Sequence, residues 1–415
     1  MTVHHLVPNP VSKDKDHRFS KQRRPFLDPI SIPKDNPHFE QPPITNNVNL
    51  MLPLRVILPE KVGAAVRDKK LVFHVIGDSG GIHGDDVQVA VAEAMESQIE
   101  SANGTAKPLF LYHVGDVVYF NGQSKLYGSQ FYEPYQYYPA PIFAIPGNHD
   151  GDTHVRGNDA PDSEPSLFGF TENFCAPQPH QISPYRATMT QPYVYWTLDA
   201  PLVSIIGLYS NVEGTLDARG TFEQQRWLEE QLTAAGKKDG FIVVAVHHPP
   251  YSLDKTHGGY LDIVVAIDQA IQTTGVVPHA VLSGHVHNMQ RFTRHFQGRE
   301  IPYVIDGRGG YANTDRLTHK LQKNGDGQYP EAPLSTTSQW DKELKLDLEY
   351  YDQETAGFLR VTVTAETLTI DSFNVPFDET QKFENVVRDS VTVTRAGRLN
   401  RPGAAEGTRS STHHR

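Results

Sequence analysis

Residues 142–150, with the sequence IFAIPGNHD, pass directly from an apolar run into a polar turn. The apolar run predicts a buried strand that ends at Pro-Gly, because a short apolar stretch bounded by turn residues is typical of a strand covered on both faces. Asn148 can offer a metal ion a neutral oxygen, and His149 can transfer a proton near neutral pH. An ordinary turn after a strand also contains Asn and Asp, so this stretch alone leaves both interpretations open.

Similar junctions between an apolar strand and polar side chains occur at four other places. The predicted strands are 71–76, 109–114, 241–246 and 280–282. The polar side chains that follow them are, in the same order, Asp78; Asp116 and Tyr119; His247 and His248; His285 and His287. We expect these side chains to meet, because ligands bind at the carboxyl ends of the strands in α/β sheets. Carboxylates, an amide oxygen and imidazoles suit Fe, Mn or Zn, and this number of ligands predicts two ions that share a carboxylate.

Each junction also has a simpler interpretation. The stretch Gly77-Asp78-Ser79-Gly80 can be a plain turn, and a His-x-His pair at a strand end can be solvated. His74 and His113 lie inside apolar runs, where a core histidine with satisfied hydrogen bonds is the expected interpretation. The recurrence of the same junction at five strand ends favours a metal site over five unrelated turns.

Composition limits the class of protein. The chain has 415 residues and a net charge of -11, without a stripe of Lys and Arg, so binding of nucleic acid is not predicted. Cys175 is the one cysteine, which excludes a disulfide within the chain and a thiolate zinc site. The N-terminus lacks the apolar core of a secretory signal, and no apolar run is long enough to cross a membrane, so we expect a cytoplasmic protein.

The pattern of elements divides the chain into three parts. We predict a flexible N-terminal arm over residues 1–50, a catalytic domain over 51–376, and a C-terminal extension with a disordered tail over 377–415. Alternating strands and helices predict an α/β fold with right-handed crossovers. Thr221 and Gln224 fit a capping box at the start of a helix. The insert 308–345 has no clear period, and we expect it to be a loop.

The five junctions, taken in order, resemble the motifs of a known group of enzymes. These motifs are Gly77-Asp78-Ser79-Gly80, Gly115-Asp116-Val117-Val118-Tyr119, Gly147-Asn148-His149-Asp150, Val244-Ala245-Val246-His247 and Gly284-His285-Val286-His287. They resemble the calcineurin-like metallophosphoesterase superfamily, and within it the purple acid phosphatases. Most of the superfamily has a histidine where this chain has Gly80, and Tyr119 stands in for it, which is the purple acid phosphatase signature. The small, mammalian-type members look most similar.

The resemblance implies a fold and a site. The fold is a four-layered α/β/β/α sandwich with two mixed β-sheets, flanking helices and a dinuclear metal site at the carboxyl ends of the strands. The implied ligands of the first ion, Fe(III), are Asp78, Tyr119 and His287. The implied ligands of the second ion, which is Fe(II), Zn or Mn, are Asn148, His247 and His285. Asp116 bridges the two ions, His149 is the general acid, and His257 is a second histidine that faces the substrate.

The resemblance also implies an activity. The expected function is hydrolysis of small-molecule phosphate esters, with a metal-bound hydroxide as nucleophile and His149 as the acid. The closest alternative is a phosphodiesterase or nucleotide hydrolase on the same site. A non-catalytic binding protein that keeps the fold, or a structural protein that uses metal for stability, are alternatives from other classes. The physiological substrate and the oligomeric state are not specified by any pattern in the chain.

Overall fold

The computed structural model describes residues 49–81, 84–152, 164–184, 186–211, 214–217, 222–311, 319–337, 345–377 and 381–400. The predicted N-terminal arm, apart from residues 49 and 50, lies outside these ranges, as does the tail from residue 401. In chain order the strands are β1 (Met51–Pro53), β2 (Lys70–Ile76), β3 (Leu111–His113), β4 (Ile142–Ala144), β5 (Trp196–Ala200), β6 (Val203–Leu208), β7 (Phe241–Val246), β8 (Ala280–Ser283), β9 (Met289–Phe296), β10 (Arg299–Asp306), β11 (Leu334–Thr337), β12 (Lys345–Asp352), β13 (Ala356–Thr364), β14 (Thr367–Val375) and β15 (Val387–Thr394).

The helices alternate with these strands through the first two thirds of the chain. The α-helices are α1 (Leu54–Ile57), α2 (Pro59–Asp68), α3 (Asp86–Ser101), α4 (Asn148–Gly151), α5 (Phe168–Phe174), α6 (Glu223–Gly236) and α7 (Leu261–Thr274). Shorter helical turns lie at Gly104–Ala106, Ser124–Leu126 and Gly128–Tyr132.

The strands form two mixed sheets. The larger has the spatial order β1-β5-β6-β7-β8-β10-β9-β12-β11, and the smaller has the order β15-β14-β13-β2-β3-β4. Strands β2, β3 and β4 are parallel to one another in the smaller sheet. Strands β6, β7, β8 and β10 are parallel in the larger sheet. Each sheet therefore gathers the carboxyl ends of its parallel strands at one edge.

Strand β7 shows how one strand contributes to two cores. Phe241, Val243 and Ala245 pack in the apolar core that lies between the two sheets. Ile242, Val244 and Val246 pack on the other face, in the core shared with α6 and α7. Because side chains alternate along a strand, a continuous apolar run is what a strand covered on both faces requires.

The smaller sheet is covered in the same way. Phe73 and Val75 of β2 face the core between the sheets, whereas Met95 and Ile99 of α3 pack with Ile76 in a third core on the outer face. The layers are therefore helices α6 and α7, the larger sheet, the smaller sheet and helix α3. The predicted four-layered α/β/β/α sandwich with two mixed sheets is confirmed.

The two histidines inside apolar strands have satisfied side chains. His74 Nδ1 lies 3.0 Å from the Tyr138 hydroxyl, and its Nε2 lies 3.2 Å from Gln98 Oε1. Burial lowers the pKa of His74 to about 3, so the ring is neutral. His113 Nε2 lies 2.8 Å from Ser79 Oγ, and its Nδ1 accepts the backbone N–H of Gly115. Both side chains are core histidines, as predicted.

Several strands of the structure lie where no strand was predicted. Strands β9 and β12 were not predicted, because each carries charged residues on a partly exposed face. Strand β15 lies inside the predicted extension 377–415 and pairs with β14, and β11 lies inside the predicted loop 308–345 and pairs with β12. The division of the chain into domains otherwise stays a prediction.

The capping box predicted at Thr221 and Gln224 is not tested, because Thr221 lies outside the described residues. The residue that precedes the helix is Phe222, whose side chain makes no cap hydrogen bond. Asp217 instead accepts the backbone N–H groups of Gln224 and Gln225, at 2.9 and 3.0 Å. The Gln224 side chain donates to the carbonyl oxygens of Tyr209 and Leu216, so it ties the helix to a neighbouring loop. Asp217 stands seven residues before Gln224, which is beyond the spacing of a capping box.

A buried ion pair at Arg308 supports a test of this fold. Its guanidinium donates to both oxygens of Asp306, at 2.8 and 3.0 Å, and also to Ser372 Oγ on β14. Arg308→Met should lower the free energy of unfolding by about 3–5 kcal/mol, because Asp306 would be left buried without its partner. The partly exposed pair of Arg360 and Asp371 on the same sheet is the control, and Arg360→Met should cost less than about 1 kcal/mol. Urea unfolding measures both, and equal losses would contradict the prediction.

Candidate dinuclear metal centre

Three of the strand-end loops carry a residue in the left-handed region of backbone space. Asp78 has a φ of 59°, Asp116 of 54° and His285 of 70°. This conformation costs a residue other than glycine on the order of 1 kcal/mol, and such residues cluster at functional sites. The loops therefore hold these three side chains in place at the expense of backbone strain.

Close approach between the loops depends on two glycines. A Cβ at Gly147 would overlap the carboxylate and backbone of Asp116, and one at Gly115 would lie 2.6 Å from His247 Nδ1. Gly115 also has a φ of 104°, which favours glycine. Asp150 holds the same two loops together, since it accepts the N–H groups of Gly147 and Val117.

The first group of polar side chains is the tyrosine cluster, which consists of Asp78, Tyr119 and His287. The Tyr119 hydroxyl lies 3.0 Å from Asp78 Oδ1 and 3.1 Å from His287 Nε2. His287 Nε2 is in turn 3.4 Å from Asp78 Oδ1. The other Asp78 oxygen accepts the backbone N–H of His285 at 2.8 Å. All three side chains are buried.

The second group is the asparagine cluster, which consists of Asn148, His247 and His285. Asn148 Oδ1 lies 3.1 Å from His247 Nε2 and 2.9 Å from His285 Nδ1. Tyr260 fixes His285 from behind, with its hydroxyl 2.7 Å from His285 Nε2. Such contacts behind a ligand set the orientation of an imidazole.

Asp116 lies between the two clusters. Its Oδ2 is 3.0 Å from the Tyr119 hydroxyl in the tyrosine cluster and 3.2 Å from His247 Nε2 in the asparagine cluster. Its Oδ1 accepts the backbone N–H of His149 at 2.9 Å. The structure thus brings all seven predicted ligands together, with the one carboxylate expected to be shared at the centre.

The chemistry of these donors fits bound cations. His247 Nδ1 lies 2.9 Å from the Val114 carbonyl oxygen, so a neutral ring carries its proton there and directs a lone pair from Nε2. That lone pair faces Asn148 Oδ1 and Asp116 Oδ2. Acceptor atoms so close together, and buried, need a cation or a proton among them. Ligand atoms of Asp116, His247 and His285 also lie within 4.8 Å of one another, a separation that one ion can span.

Charges at the centre shift the pKa values of Asp116 and His247 in opposite directions. Burial lowers the pKa of His247, but Asp116 outweighs burial and raises it to about 9. Burial raises the pKa of Asp116, but His247 and His149 outweigh burial and hold it below its usual value. The carboxylate is therefore ionised, and it attracts positive charge to the asparagine cluster.

The pKa values of Tyr119, His285 and His287 are shifted mainly by burial. Burial raises the pKa of Tyr119 well above its usual value, and Asp116 and Asp78 raise it further. Burial lowers the pKa values of His285 and His287, which keeps both rings neutral, the form that binds metal. A bound cation would oppose the shift at Tyr119, because its charge favours the phenolate.

His149 lies at the edge of the centre. Its Nδ1 is 2.7 Å from the Phe120 carbonyl oxygen, which fixes the ring, and its Nε2 is 4.0 Å from Asp116 Oδ2. The side chain is 13% exposed, whereas Asp116 is 1% exposed. His149 is therefore the one of this pair that a molecule approaching from solvent can reach.

The structure places His247 and His248 differently. His247 is directed at the centre, whereas His248 Nδ1 lies 2.7 Å from Ser210 Oγ. His257 is buried beside the asparagine cluster, with its ring 4.4 Å from that of His285. It adjoins the centre without joining either cluster.

Two residues near the centre were missed in the sequence, and both lie between residues 308 and 345. The ring of Tyr311 is 4.2 Å from that of Tyr119, and the ring of His319 is 4.1 Å from that of His287. His319 follows no predicted strand, so the rule that found the other residues could not find it. Tyr311 follows the predicted strand 301–305 but was not recognised as part of the centre.

Comparisons with known proteins identify the family of this chain. A family model described as calcineurin-like phosphoesterase matches residues 71–289, which is more than half of the chain. Purple acid phosphatase 21 of Arabidopsis thaliana is 27% identical over 161 residues, or 37% of this chain and 33% of that protein. A probable glycerophosphodiester phosphodiesterase, GpdQ, of Arcobacter nitrofigilis is 22% identical over 185 residues, or 44% of this chain and 58% of that protein.

The fold is shared with solved structures over most of the chain. Purple acid phosphatase PPD1 from yellow lupin (Lupinus luteus) seeds has a TM-score of 0.53 and 18% sequence identity, over 79% of this chain and 54% of that one. The match to the Arabidopsis protein spans about a third of that protein's length. None of the helices in the described ranges combines the length and the apolar character that a membrane crossing requires.

Proposed function

We propose that this chain, which belongs to the calcineurin-like phosphoesterase family, hydrolyses small-molecule phosphate monoesters with two metal ions, in the manner of a purple acid phosphatase. The observation that carries the proposal is the position of Asp116. This carboxylate contacts the tyrosine cluster on one side and the asparagine cluster on the other, while His149 lies at the edge of both.

Each cluster holds one ion in this proposal. Asp78, Tyr119 and His287 would hold the first, Fe(III), because a phenolate is a strong donor to that ion. Asn148, His247 and His285 would hold the second, Fe(II), Zn or Mn, and Asp116 would be a ligand of both. When bound, the ions would offset the charge of the phosphate oxygens and lower the pKa of a water molecule at the site.

His149 supplies the proton that the leaving group needs. In the imidazolium form, Nδ1–H donates to the Phe120 carbonyl oxygen and orients the ring, and Nε2–H is the group that can donate to the substrate. A proton transferred from Nε2 to the ester oxygen would neutralise the alkoxide as the bond to phosphorus breaks. We also propose that His257, whose ring lies 4.4 Å from that of His285, binds a phosphate oxygen.

A phosphodiesterase is the second candidate function. It is favoured by the similarity to the probable glycerophosphodiester phosphodiesterase of Arcobacter nitrofigilis. Both activities would use the same centre, and they differ in whether the second ester group is accommodated. Paired assays with a monoester and a diester of one chromophore, on a sample with measured metal content, distinguish the two functions.

The role of Asp116 leads to a first test. Asp116→Asn should lose both ions and nearly all turnover, because the shared ligand loses its charge. Asp217→Asn is the matched control, since Asp217 is also buried but its oxygens accept backbone N–H groups of α6. It should lower stability and keep both ions. Elemental analysis of both variants decides the matter, and two ions per chain in Asp116→Asn would rule out the bridge.

The role of His149 leads to a second test. His149→Ala should keep both ions and slow the hydrolysis of alkyl phosphates by about 10²–10⁴. The loss should be much smaller for nitrophenyl phosphate, whose leaving group needs little protonation. His295→Ala is the control, because His295 pairs with Asp347 on a partly exposed face of β9. An equal loss on both kinds of ester would remove His149 from the acid role.

The role of Tyr119 leads to a third test, which concerns iron. Oxidised, iron-loaded protein should absorb visible light, because a phenolate bound to Fe(III) gives a charge-transfer band. Tyr119→Phe should abolish the band, whereas Tyr303→Phe should keep it, since Tyr303 is buried with its hydroxyl 3.4 Å from Arg294. Absorption spectra at equal iron content measure this. A colourless wild-type protein with a full complement of oxidised iron would refute the assignment of Fe(III) to Tyr119.

A further inference from the structure

His319 lies against the metal centre, although it comes from the segment 308–345 in which no pattern was found. Its ring is stacked on that of His287, with centroids 4.1 Å apart and planes 5° apart. Its ring is also 4.5 Å from that of His257. The side chain is buried. His319 therefore contacts His287 of the tyrosine cluster and also His257, the histidine that we propose binds phosphate.

The hydrogen bonds of His319 fix where its proton is. The backbone N–H of His287 is 2.9 Å from His319 Nδ1 and can only donate, so Nδ1 must accept. The proton of His319 is then on Nε2. That nitrogen lies 3.2 Å from His257 Nε2, so His319 donates and His257 accepts. It follows that His257 carries its own proton on Nδ1, because one nitrogen of a neutral imidazole donates while the other accepts.

Backbone pairing holds the two histidines in register. Lys255 N–H donates to the carbonyl oxygen of Lys320 at 2.9 Å, and Gln322 N–H donates to that of Leu253 at 2.8 Å. The segments 253–257 and 319–322 thus form a short two-stranded arrangement beside the centre. The Leu321 N–H also donates to Gln353 Oε1, which ties this arrangement to the chain after β12. The contact between His257 and His319 is therefore built into the fold.

We propose that His319 is a positioning residue, which holds the backbone and ring of His287 and fixes His257 as an Nδ1–H donor for a phosphate oxygen. This inference rests on the proposed function, because it concerns the substrate side of the same centre. The two contacts of His319 serve different purposes. The contact through Nδ1 supports the tyrosine cluster, and the contact through Nε2 sets the tautomer of the substrate-facing histidine.

Two substitutions separate these contacts. His319→Asn keeps an acceptor near the position of Nδ1 and loses the donor at Nε2. It should weaken the binding of inorganic phosphate by about two- to tenfold, the equivalent of one neutral hydrogen bond, and leave the metal content unchanged. His319→Gln keeps a donor near the position of Nε2 and loses the acceptor. It should preserve phosphate affinity but release the first ion more readily to a chelator.

Titration calorimetry with inorganic phosphate and metal analysis after dialysis against a chelator measure the two effects. A His257→Ala variant completes the experiment, because His319→Asn should then have no additional effect on phosphate affinity. The inference would be overturned if His319→Asn and His319→Gln changed phosphate affinity equally. It would also be overturned if the loss of affinity in His319→Asn added to the loss in His257→Ala. If His319 had only a structural role, both substitutions would lower the melting temperature. They would not affect phosphate affinity in one variant and metal release in the other.

A direct measurement on the wild-type protein does not depend on either variant. In long-range proton–nitrogen NMR spectra of the zinc-loaded protein, His319 should be the Nε2–H tautomer and His257 the Nδ1–H tautomer. The opposite tautomer at either ring overturns the inference. A different result would refute the proposed function. In that case the metal-loaded wild-type protein would hydrolyse neither phosphate monoesters nor phosphate diesters, and it would not bind inorganic phosphate.

Discussion

Two carboxylates with almost no exposure to water, those of Asp78 and Asp116, are the feature on which the rest of the centre depends. A buried negative charge is costly unless positive charge or hydrogen-bond donors surround it. Backbone N–H groups of His285 and His149 meet one oxygen of each carboxylate, and the remaining oxygens face Tyr119, His247 and His287. Bound cations would offset this charge. Loops that hold Asp78 and Asp116 in strained backbone conformations keep the two carboxylates at the centre.

The strand-end rule explains why most of the centre could be predicted. Every one of the seven predicted ligands directly follows an apolar strand, and parallel strands bring their ends to one edge. His257 was placed only by the resemblance, because it lies in a loop ten residues after His247 and no strand precedes it. The roles of these residues rest on the same resemblance, since proximity alone does not distinguish a ligand from an acid.

What could not be predicted has a common physical cause. Strands β9 and β12 lack a continuous apolar run because charged and polar residues interrupt it, and β15 lies in a segment with few apolar residues. The Asp217 cap comes from seven residues before Gln224, and the position of His319 depends on contacts between segments far apart in the chain. Local periodicity contains no information about such contacts. The insert 308–345 illustrates this, because its described residues include both a strand of the larger sheet and a side chain stacked on His287.

The buried Arg308 links parts of the molecule that are usually considered separately. It follows β10 and bonds to Asp306 and to Ser372 of β14, and the adjacent Gly307 has no room for a side chain because Asp78 and Val286 are too close. Residues 306–308 therefore contribute both to the stability of the fold and to the position of Asp78. In evolutionary terms, the positions around Arg308 are constrained twice, by the ion pair with Asp306 and by the close approach of Gly307 to Asp78. Divergence within such proteins should accumulate instead in loops that lack this link, and substrate preference can change there while the scaffold stays the same.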